Sequence, residues 1–268
     1  MVGAIIGDIA GSRFEFNNIR SKDFELFAKD CRVTDDSIMT LAVAKAIMAC
    51  NGDWEELGYN AVIYMREIGR KYPRCGFGGM FRRWMFSDDP EPYNSYGNGA
   101  AMRVSPCGFT AVTEEEAALL SRKVTEVTHN HSEGLKGAEA VSVAIFMARN
   151  GAAKNEIKER VEKDYYALDF TLDSIRESYQ FNETCQETVP QAIAAFLESV
   201  SFEDAVRGAI SIGGDSDTLA AIAGSIAEAF YGVPLELKNR ALSYLDSALL
   251  TVYREWEDFL ASHSNGGK

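Results

Sequence analysis

The sequence predicts an all-α protein folded as one compact domain over residues 1–268. Its apolar residues recur at helical spacing, and it lacks runs of alternating β-branched and aromatic residues bounded by hairpin turns. Only six of its residues are proline, so few helices would be interrupted. With 46% hydrophobic residues, the chain can bury one sizeable core. Ten or more helices of roughly 11–12 residues would account for the pattern.

The composition excludes several classes of function. A chain with 27 basic and 40 acidic residues, net charge −13, lacks the basic face that nucleic acid or anionic membranes require. Five scattered cysteines without Cys-x-x-Cys spacing fit a reducing cytoplasm. The N-terminus has no basic segment, and no apolar run is long enough to span a membrane. We expect a cytoplasmic protein, monomeric or weakly homo-oligomeric, that binds neither nucleic acid nor membrane.

The N-terminal segment, residues 2–11, is predicted to be a helix. Three glycines spaced four residues apart would leave one face bare: Gly3, Gly7 and Gly11. Such a face allows another backbone to approach closely. A strand leading into a phosphate-binding loop is the alternative, but the Gly-x-Gly-x-x-Gly and Walker spacings are both absent. We expect Asp8 and Glu15 near the C-terminal side of this helix, followed by a loop over residues 17–33.

The rest of the chain is predicted to be mostly helical. Residues 34–50 are apolar on nearly all sides of a helical wheel, which indicates a central buried helix. Residues 74–108 are rich in glycine and arginine and are expected to line a ligand, whereas the polar residues 154–187 are expected to form a short charged helix and a surface loop. Further predicted elements are capped helices starting at Asp53 and Thr113 and reaching about 72 and 128, helices at 132–149, 188–199, 201–212, 215–231 and 235–261, and a frayed tail at 264–268.

Two of these helices begin with an excess of oxygen side chains. One starts with Thr34, Asp35 and Asp36, and the other with Asp215, Asp217 and Thr218. Helix capping is the simpler interpretation of each start, but capping uses only one or two side chains. If the two starts meet, four carboxylates and two hydroxyls form an all-oxygen set that suits Mg²⁺ or Mn²⁺. The sequence therefore predicts a site for two metal ions where the helices converge.

Six short motifs support a more specific interpretation. They are Gly-Asp-Ile-Ala-Gly-Ser-Arg-Phe-Glu at 7–15, Thr-Asp-Asp-Ser at 34–37, Gly-Phe-Gly-Gly at 76–79, Gly-Asn-Gly-Ala-Ala-Met-Arg at 97–103, Thr-His-Asn-His at 128–131 and Gly-Gly-Asp-Ser-Asp-Thr at 213–218. Together they resemble the ADP-ribosylglycohydrolase family, whose members include ADP-ribosylarginine and ADP-ribosylserine hydrolases. The resemblance implies an orthogonal multi-helix bundle around a central site for two Mg²⁺ or Mn²⁺ ions. It also implies hydrolysis of the bond between ADP-ribose and an acceptor.

The resemblance assigns roles residue by residue. The implied metal ligands are Thr34, Asp35, Asp36, Asp215, Asp217 and Thr218. Glu15 matches the acidic residue after the first helix, and with Asp36 it is the implied catalytic residue, as a proton donor or as a gate for substrate. We hypothesise that the two metal ions orient the distal ribose and a water molecule for attack.

The same resemblance implies where the rest of the ligand binds. Glycine-rich turns can present N–H groups to a diphosphate, although plain turn chemistry is the alternative. The implied substrate-binding residues are Gly76, Phe77, Gly78, Gly97, Asn98, Gly99 and His129. Arg103 is either a nearby cation for the ligand or a structural ion-pair partner. Phe77, Tyr96 and Trp84 are candidates to stack on adenine, although aromatic residues are more often part of the core.

The predicted substrate is an ADP-ribosylated protein or a small ADP-ribosyl conjugate, with the acceptor left open among arginine, serine, a base or a metabolite. A catalytically silent ADP-ribose-binding member of the family is the first alternative. Loss of a metal-binding aspartate would indicate it, and none is missing. A Mg²⁺-dependent enzyme of prenyl diphosphates is the second. It would require Asp-Asp-x-x-Asp on helix faces, whereas the acids here cluster at helix starts.

Overall fold

Helices dominate the computed structural model, which describes residues 1–264. Over that range the elements are α1 (Val2–Gly11), α2 (Asp35–Cys50), α3 (Leu57–Gly69), α4 (Gly79–Phe86), α5 (Ser105–Thr110), α6 (Glu114–Thr125), α7 (Ser132–Arg149), α8 (Lys154–Asp164), α9 (Leu172–Ile175), α10 (Cys185–Glu198), α11 (Phe202–Ile210), α12 (Ser216–Tyr231), α13 (Leu235–Leu242) and α14 (Ser247–Ser264). Short 3₁₀ turns occupy Trp54–Glu56 and Asn98–Ala100. Extended pairing among the described residues is limited to one isolated bridge between Gly97 and Thr184. The all-α prediction is confirmed.

The centre of the fold is the contact between α1 and α12. All residues of α1 are buried, and its glycines let the two backbones touch. A Cβ atom added at Gly7 would overlap Ala220 O and lie 2.5 Å from Ala221 N, and one added at Gly11 would lie 2.5 Å from the Cα of Asp217. The predicted bare face is therefore real, and it brings the C-terminal half of α1 against the start of α12.

The second buried helix at the centre is α2, which packs on α1, α3 and α14. The residue before it, Thr34, caps it by accepting a hydrogen bond from Asp36 N, as the oxygen-rich start of the helix predicted. At the other end Asn51 adopts a left-handed conformation, φ 47°, and its N–H donates to Met48 O. Both ends of α2 are thus fixed by local hydrogen bonds, and its orientation is set by apolar packing.

Several helix boundaries differ from those predicted. The helix expected over 235–261 is two helices, because Asp246 Oδ1 accepts from Ala248 N and Leu249 N and so caps a new helix at Ser247. The helix expected to begin at Asp53 and reach about 72 is α3, Leu57–Gly69. Asp53 precedes a 3₁₀ turn instead, where its side chain accepts a hydrogen bond from Glu55 N.

The Thr113 cap is confirmed, since its hydroxyl accepts from Glu116 N. Glu116, however, accepts from Val112 N, one residue before the cap, and α6 ends at Thr125 instead of reaching 128. The region 74–108, expected to line a ligand, contains α4 and the start of α5.

No helix in the described range is long and apolar enough to cross a membrane. The segment predicted to fray, 264–268, lies outside the described residues except for the last residue of α14.

Replacing Gly7 with alanine is expected to destabilise the protein by about 2 kcal/mol or more, since the added methyl group must separate two packed backbones. Gly58→Ala in α3 is the matched control. Its Cβ would lie 3.5 Å from the nearest atom, Lys123 O, and alanine is the better helix former. Urea unfolding of both variants checks this, and equal stabilities would contradict the close contact.

Candidate active site

The starts of α2 and α12 meet in the folded protein. Thr218 Oγ1 donates a hydrogen bond to Asp36 Oδ2 at 3.3 Å, although the two residues are far apart in sequence. Both side chains are buried, each with 3% of its surface exposed. The predicted convergence of the two helix starts is confirmed. The positive ends of both helix dipoles therefore lie beside the same group of carboxylates.

The carboxylates at this junction form two sets that share one member. Asp8, Asp36 and Asp217 each offer an oxygen within 4.8 Å of the others, and so do Glu15, Asp215 and Asp217. All of these side chains except Glu15 are buried. Each set is close enough and acidic enough to hold a metal ion, with Asp217 common to both.

Asp8 is the principal site residue that was not assigned from the sequence. It is completely buried, and its carboxylate accepts hydrogen bonds from the backbone N–H and hydroxyl of both Thr34 and Ser37. These bonds join α1 to the start of α2. The position of Asp8 in the sequence could have identified it. An aspartate in an otherwise apolar helix that is completely buried requires hydrogen-bond partners or a cation.

Burial leaves these carboxylates poorly stabilised as anions. Burial, followed by repulsion from Asp217, raises the pKa of Asp8 to about 7 despite its four hydrogen bonds. The same two causes raise the pKa values of Asp35, Asp36 and Asp215 well above their ordinary range. In addition, Asp36 Oδ1 is buried without a hydrogen-bond partner among the described residues. Oxygen ligands that are buried, crowded and partly unpaired fit a divalent cation.

Glu15 lies at the edge of the cluster. Its side chain is 16% exposed, and Arg32 lies 3.6 Å from it. Burial and repulsion from Asp217 raise the pKa of Glu15 to about 7, against the opposing effect of Arg32. The loop that carries Glu15 is fixed by Asn18, whose side chain donates to Gly214 O at 2.8 Å and accepts from Gly214 N at 2.9 Å. Glu15 is thereby held beside Asp215 while it still reaches solvent.

A cavity of about 870 Å³ opens onto the cluster. Most of the residues predicted to form the site line it: Glu15, Asp35, Asp36, Gly76, Gly78, Gly97, Asn98, Gly99, His129, Asp215, Asp217 and Thr218. Thr34 and Phe77 lie behind this wall, since Thr34 bonds to Asp8 and the Phe77 ring stacks on Phe81 at 5.5 Å. Asp35 lines the cavity beside Gly76 but belongs to neither set of carboxylates.

The contacts of Asn98 correct part of the ligand prediction. Its side-chain amide donates to Asp215 Oδ2 at 2.7 Å and to Thr188 Oγ1 at 3.2 Å. Its backbone N–H donates to Glu183 O, and that of Gly97 donates to Ser95 Oγ. These N–H groups are used within the protein, so they are not free to bind an anion. Asn98 instead orients a carboxylate of the cluster.

Aromatic rings surround the mouth of the cavity. Tyr96 lines it with 46% of its surface exposed, whereas Trp84 is buried in the core and does not line it. On the side of Glu15, the exposed rings of Phe16 and Phe181 stack on each other at 5.9 Å. Phe181 also lines the cavity.

Comparison with known proteins agrees with the fold and the site. The sequence matches the family model described as ADP-ribosylglycohydrolase over residues 1–260. The chain belongs to this family, and it is a glycohydrolase. The ADP-ribosylhydrolase ARH3 of Gallus gallus is 25% identical over 311 residues, covering 87% of this chain and 84% of that protein. The ADP-ribosylarginine hydrolase Tri1 of Pseudomonas putida is 26% identical, covering 87% and 70%.

A solved structure described as an ADP-ribosylglycohydrolase-related protein complex has the same fold. The two superpose with a TM-score of 0.65 at 23% identity, over 94% of this glycohydrolase and 96% of that chain. The fold class predicted from the sequence is confirmed by this similarity.

Divalent cations are expected to stabilise the glycohydrolase more as the pH rises. Unfolded carboxyl groups titrate at about pH 4, whereas Asp8 and Glu15 in the folded, cation-free protein have pKa values of about 7. Between these limits the folded state binds more protons, so the free energy of unfolding falls as the pH rises. A cation binds the deprotonated carboxylates and offsets that loss.

Melting temperatures with Mg²⁺ or with EDTA at about pH 5.5 and about pH 8 test this expectation. The gain from Mg²⁺ should be larger at the higher pH and should shrink in Asp217→Asn. Asp258→Asn, an exposed change on α14, is the matched control. An equal gain at both pH values would contradict the assignment.

Proposed function

We propose that this glycohydrolase cleaves the glycosidic bond between ADP-ribose and an acceptor in a metal-dependent reaction. The acceptor is a modified protein side chain, such as arginine or serine, or a related ADP-ribosyl conjugate. The observation that carries the proposal is Asp217, shared by two sets of carboxylates at one end of a cavity in a chain of this family. The names of the relatives, an ADP-ribosylhydrolase and an ADP-ribosylarginine hydrolase, support the same chemistry.

Two Mg²⁺ or Mn²⁺ ions are the proposed cofactors. Asp8 and Asp36 would hold one, Asp215 the other, and Asp217 would contact both, with Glu15 beside the second cation. Oxygen-only ligands select hard cations over zinc or copper. When bound, such ions supply Lewis-acid polarisation and lower the pKa of a bound water.

The hydroxyls of the implied ligand set have a supporting role in this proposal. Thr34 Oγ1 donates to Asp8 at 2.5 Å and Thr218 Oγ1 donates to Asp36 at 3.3 Å, so both threonines orient carboxylates. Asp35 reaches the cavity from the same helix start and remains a candidate ligand.

Glu15 is the proposed proton donor. Cleavage of a ribosyl bond requires protonation of the leaving group at an oxocarbenium-like transition state. The Glu15 side chain is partly exposed at the edge of the cluster, so it can take up a proton and pass it to a leaving group. Glu15 reaches both the carboxylate cluster and the open cavity. Asp36 shares the catalytic assignment, because it lines the cavity and its Oδ1 has no partner in the described structure.

The diphosphate is proposed to bind near Gly78 and the start of α4, which also line the cavity. A Cβ atom added at Gly78 or Gly79 would meet nothing within 4 Å, so the backbone there is open to the cavity. The N-terminus of α4 presents unpaired N–H groups and the positive end of its dipole. Roughly 300–1,000 Å³ is usual for small-molecule sites, so a cavity of about 870 Å³ has room for ADP-ribose.

The alternative function is a silent ADP-ribose-binding protein. The complete carboxylate sets favour catalysis, because burying so many acids benefits a binder little. The cytoplasmic location, the single domain and the monomeric or weakly oligomeric state stay predictions from the sequence.

Free ADP-ribose should be released from arginine-modified or serine-modified peptides in the presence of Mg²⁺ or Mn²⁺ and not in EDTA. Asp217→Asn should abolish release, because it removes the carboxylate common to both sets, whereas Asp258→Asn should release ADP-ribose at the rate of the unchanged protein. Chromatography of released ADP-ribose measures each reaction. Tight ADP-ribose binding with no release from any linkage would establish the silent binder instead.

Glu15→Gln should lower kcat by about 10²-fold or more, since an amide oxygen can still face a cation but the amide cannot donate the carboxyl proton. Titration calorimetry with Mn²⁺ should show cation binding retained. The decrease in kcat should be measured at saturating Mn²⁺ and saturating substrate. Unchanged kcat would remove Glu15 from the reaction.

A further inference from the structure

Arg103 is a buried cation with no carboxylate paired to it in the described part of the chain. Only 1% of its surface is exposed, and its Nε has no hydrogen-bond partner there. Burial lowers the pKa of the guanidinium to about 10, so it stays charged near neutral pH. The structure therefore does not support the interpretation of Arg103 as an ion-pair partner. A buried, unpaired charge is costly and calls for another anion.

The contacts of Arg103 lead to His129. One terminal nitrogen of Arg103 donates to Thr128 Oγ1 at 2.7 Å, and the same oxygen lies 2.7 Å from His129 Nδ1. Because Arg103 donates a hydrogen bond to that oxygen, the hydroxyl group of Thr128 can direct its own hydrogen at His129 Nδ1. The competing acceptor, Thr125 O, is farther away at 3.3 Å. His129 Nδ1 is thus an acceptor in this network.

A neutral imidazole that accepts at Nδ1 carries its proton on Nε2. Burial, followed by the charge of Arg103, lowers the pKa of His129 well below its ordinary value, which keeps the ring neutral. Among the described residues, the side chain of His129 makes a hydrogen bond through Nδ1 and none through Nε2. Cβ atoms added at Gly97 and Gly99 would lie 3.6 and 3.4 Å from Nε2. The Nε2–H group therefore lies beside the glycine stretch that lines the cavity.

We propose that Arg103 and Thr128 are positioning residues that fix His129 as an Nε2–H donor to an anionic group of the ligand, with Arg103 as the buried counter-charge. The identity of that group as the ADP-ribose diphosphate rests on the proposed function. The protonation pattern of His129 does not, because it belongs to the free protein. The arrangement supplies a hydrogen-bond donor and a positive charge on a chain whose net charge is −13.

The ring nitrogens of His129 provide the first test. The chain has three histidines, so ¹⁵N spectra of the side chains can be assigned with His131→Gln and His263→Gln. The Nε2–H form of His129 should dominate in the unchanged protein and in Thr128→Ser, and a mixture of both forms should appear in Thr128→Val. An Nδ1–H form in the unchanged protein, or an unchanged spectrum in Thr128→Val, would overturn the proposal.

Calorimetric binding of ADP-ribose and of adenosine provides the second test. Thr128→Val should weaken ADP-ribose binding by about tenfold, the effect of one misplaced hydrogen bond to a charged group, and leave adenosine binding unchanged. Thr128→Ser should restore the affinity. Arg103→Met should weaken ADP-ribose binding further, and if it fails to fold, Thr128→Val alone decides the outcome.

Thr125→Val is the matched control for these variants, since it removes a buried hydroxyl of the same type that has no partner among the described residues. It should bind ADP-ribose as the unchanged protein does. Equal affinities of Thr128→Val and Thr128→Ser for ADP-ribose would refute the proposal and leave the proposed function intact. Failure of the unchanged protein to bind ADP-ribose would refute the proposed function and the ligand assigned to His129, and the spectra would still decide the positioning roles.

Discussion

The structure depends on burying several carboxylates at one point. The glycine face of α1 lets α12 approach until a Cβ atom at Gly11 would lie 2.5 Å from the Cα of Asp217. That approach places Asp8 in one carboxylate set with Asp217, while hydrogen bonds from Thr34 and Ser37 fix the start of α2 against Asp8. A larger residue on that face would separate α1 from α12 and move the carboxylates of the two helices apart. Packing at the centre and chemistry at the cavity are therefore set by the same contact.

An acidic helix start can be explained by helix capping or by metal binding. Here helix capping alone does not account for the number of buried carboxylates. Thr34 caps α2, and two helix N-termini face the cluster, which favours negative charge there. Even so, burial and mutual repulsion hold the pKa values of Asp36 and Asp215 well above their ordinary range. The helix dipoles and the hydroxyl groups thus offset only part of the free-energy cost of burying these carboxylates. The proposed cations would neutralise the remaining negative charge.

Local patterns in the sequence predicted much of this, and long-range contacts account for what they missed. The bounds of α1 and α7 follow from glycine spacing, apolar periodicity and terminal residues, all of which are local. Asp8 was not assigned because its hydrogen-bond partners at the start of α2, Thr34 and Ser37, lie 26 and 29 residues away in the sequence. The cap at Asp246 was missed because the apolar periodicity continues across it. The backbone N–H of Gly97 donates to Ser95 Oγ, and that of Asn98 donates to Glu183 O, which is distant in sequence. The spacing of the glycines does not predict these hydrogen bonds.

The cavity is lined by groups that suit two different parts of a ligand. Carboxylates line one part of its wall, and with the proposed cations bound they would favour neutral hydroxyl groups and a developing positive charge. The same cavity is lined by the open backbone at the start of α4, the Arg103 guanidinium and the neutral His129, all suited to an anion. A molecule that carries a phosphate and a ribose would find suitable partners for both groups in this cavity. In the proposed function the ribose would lie at the carboxylates, with its glycosidic bond beside Glu15, the proposed proton donor.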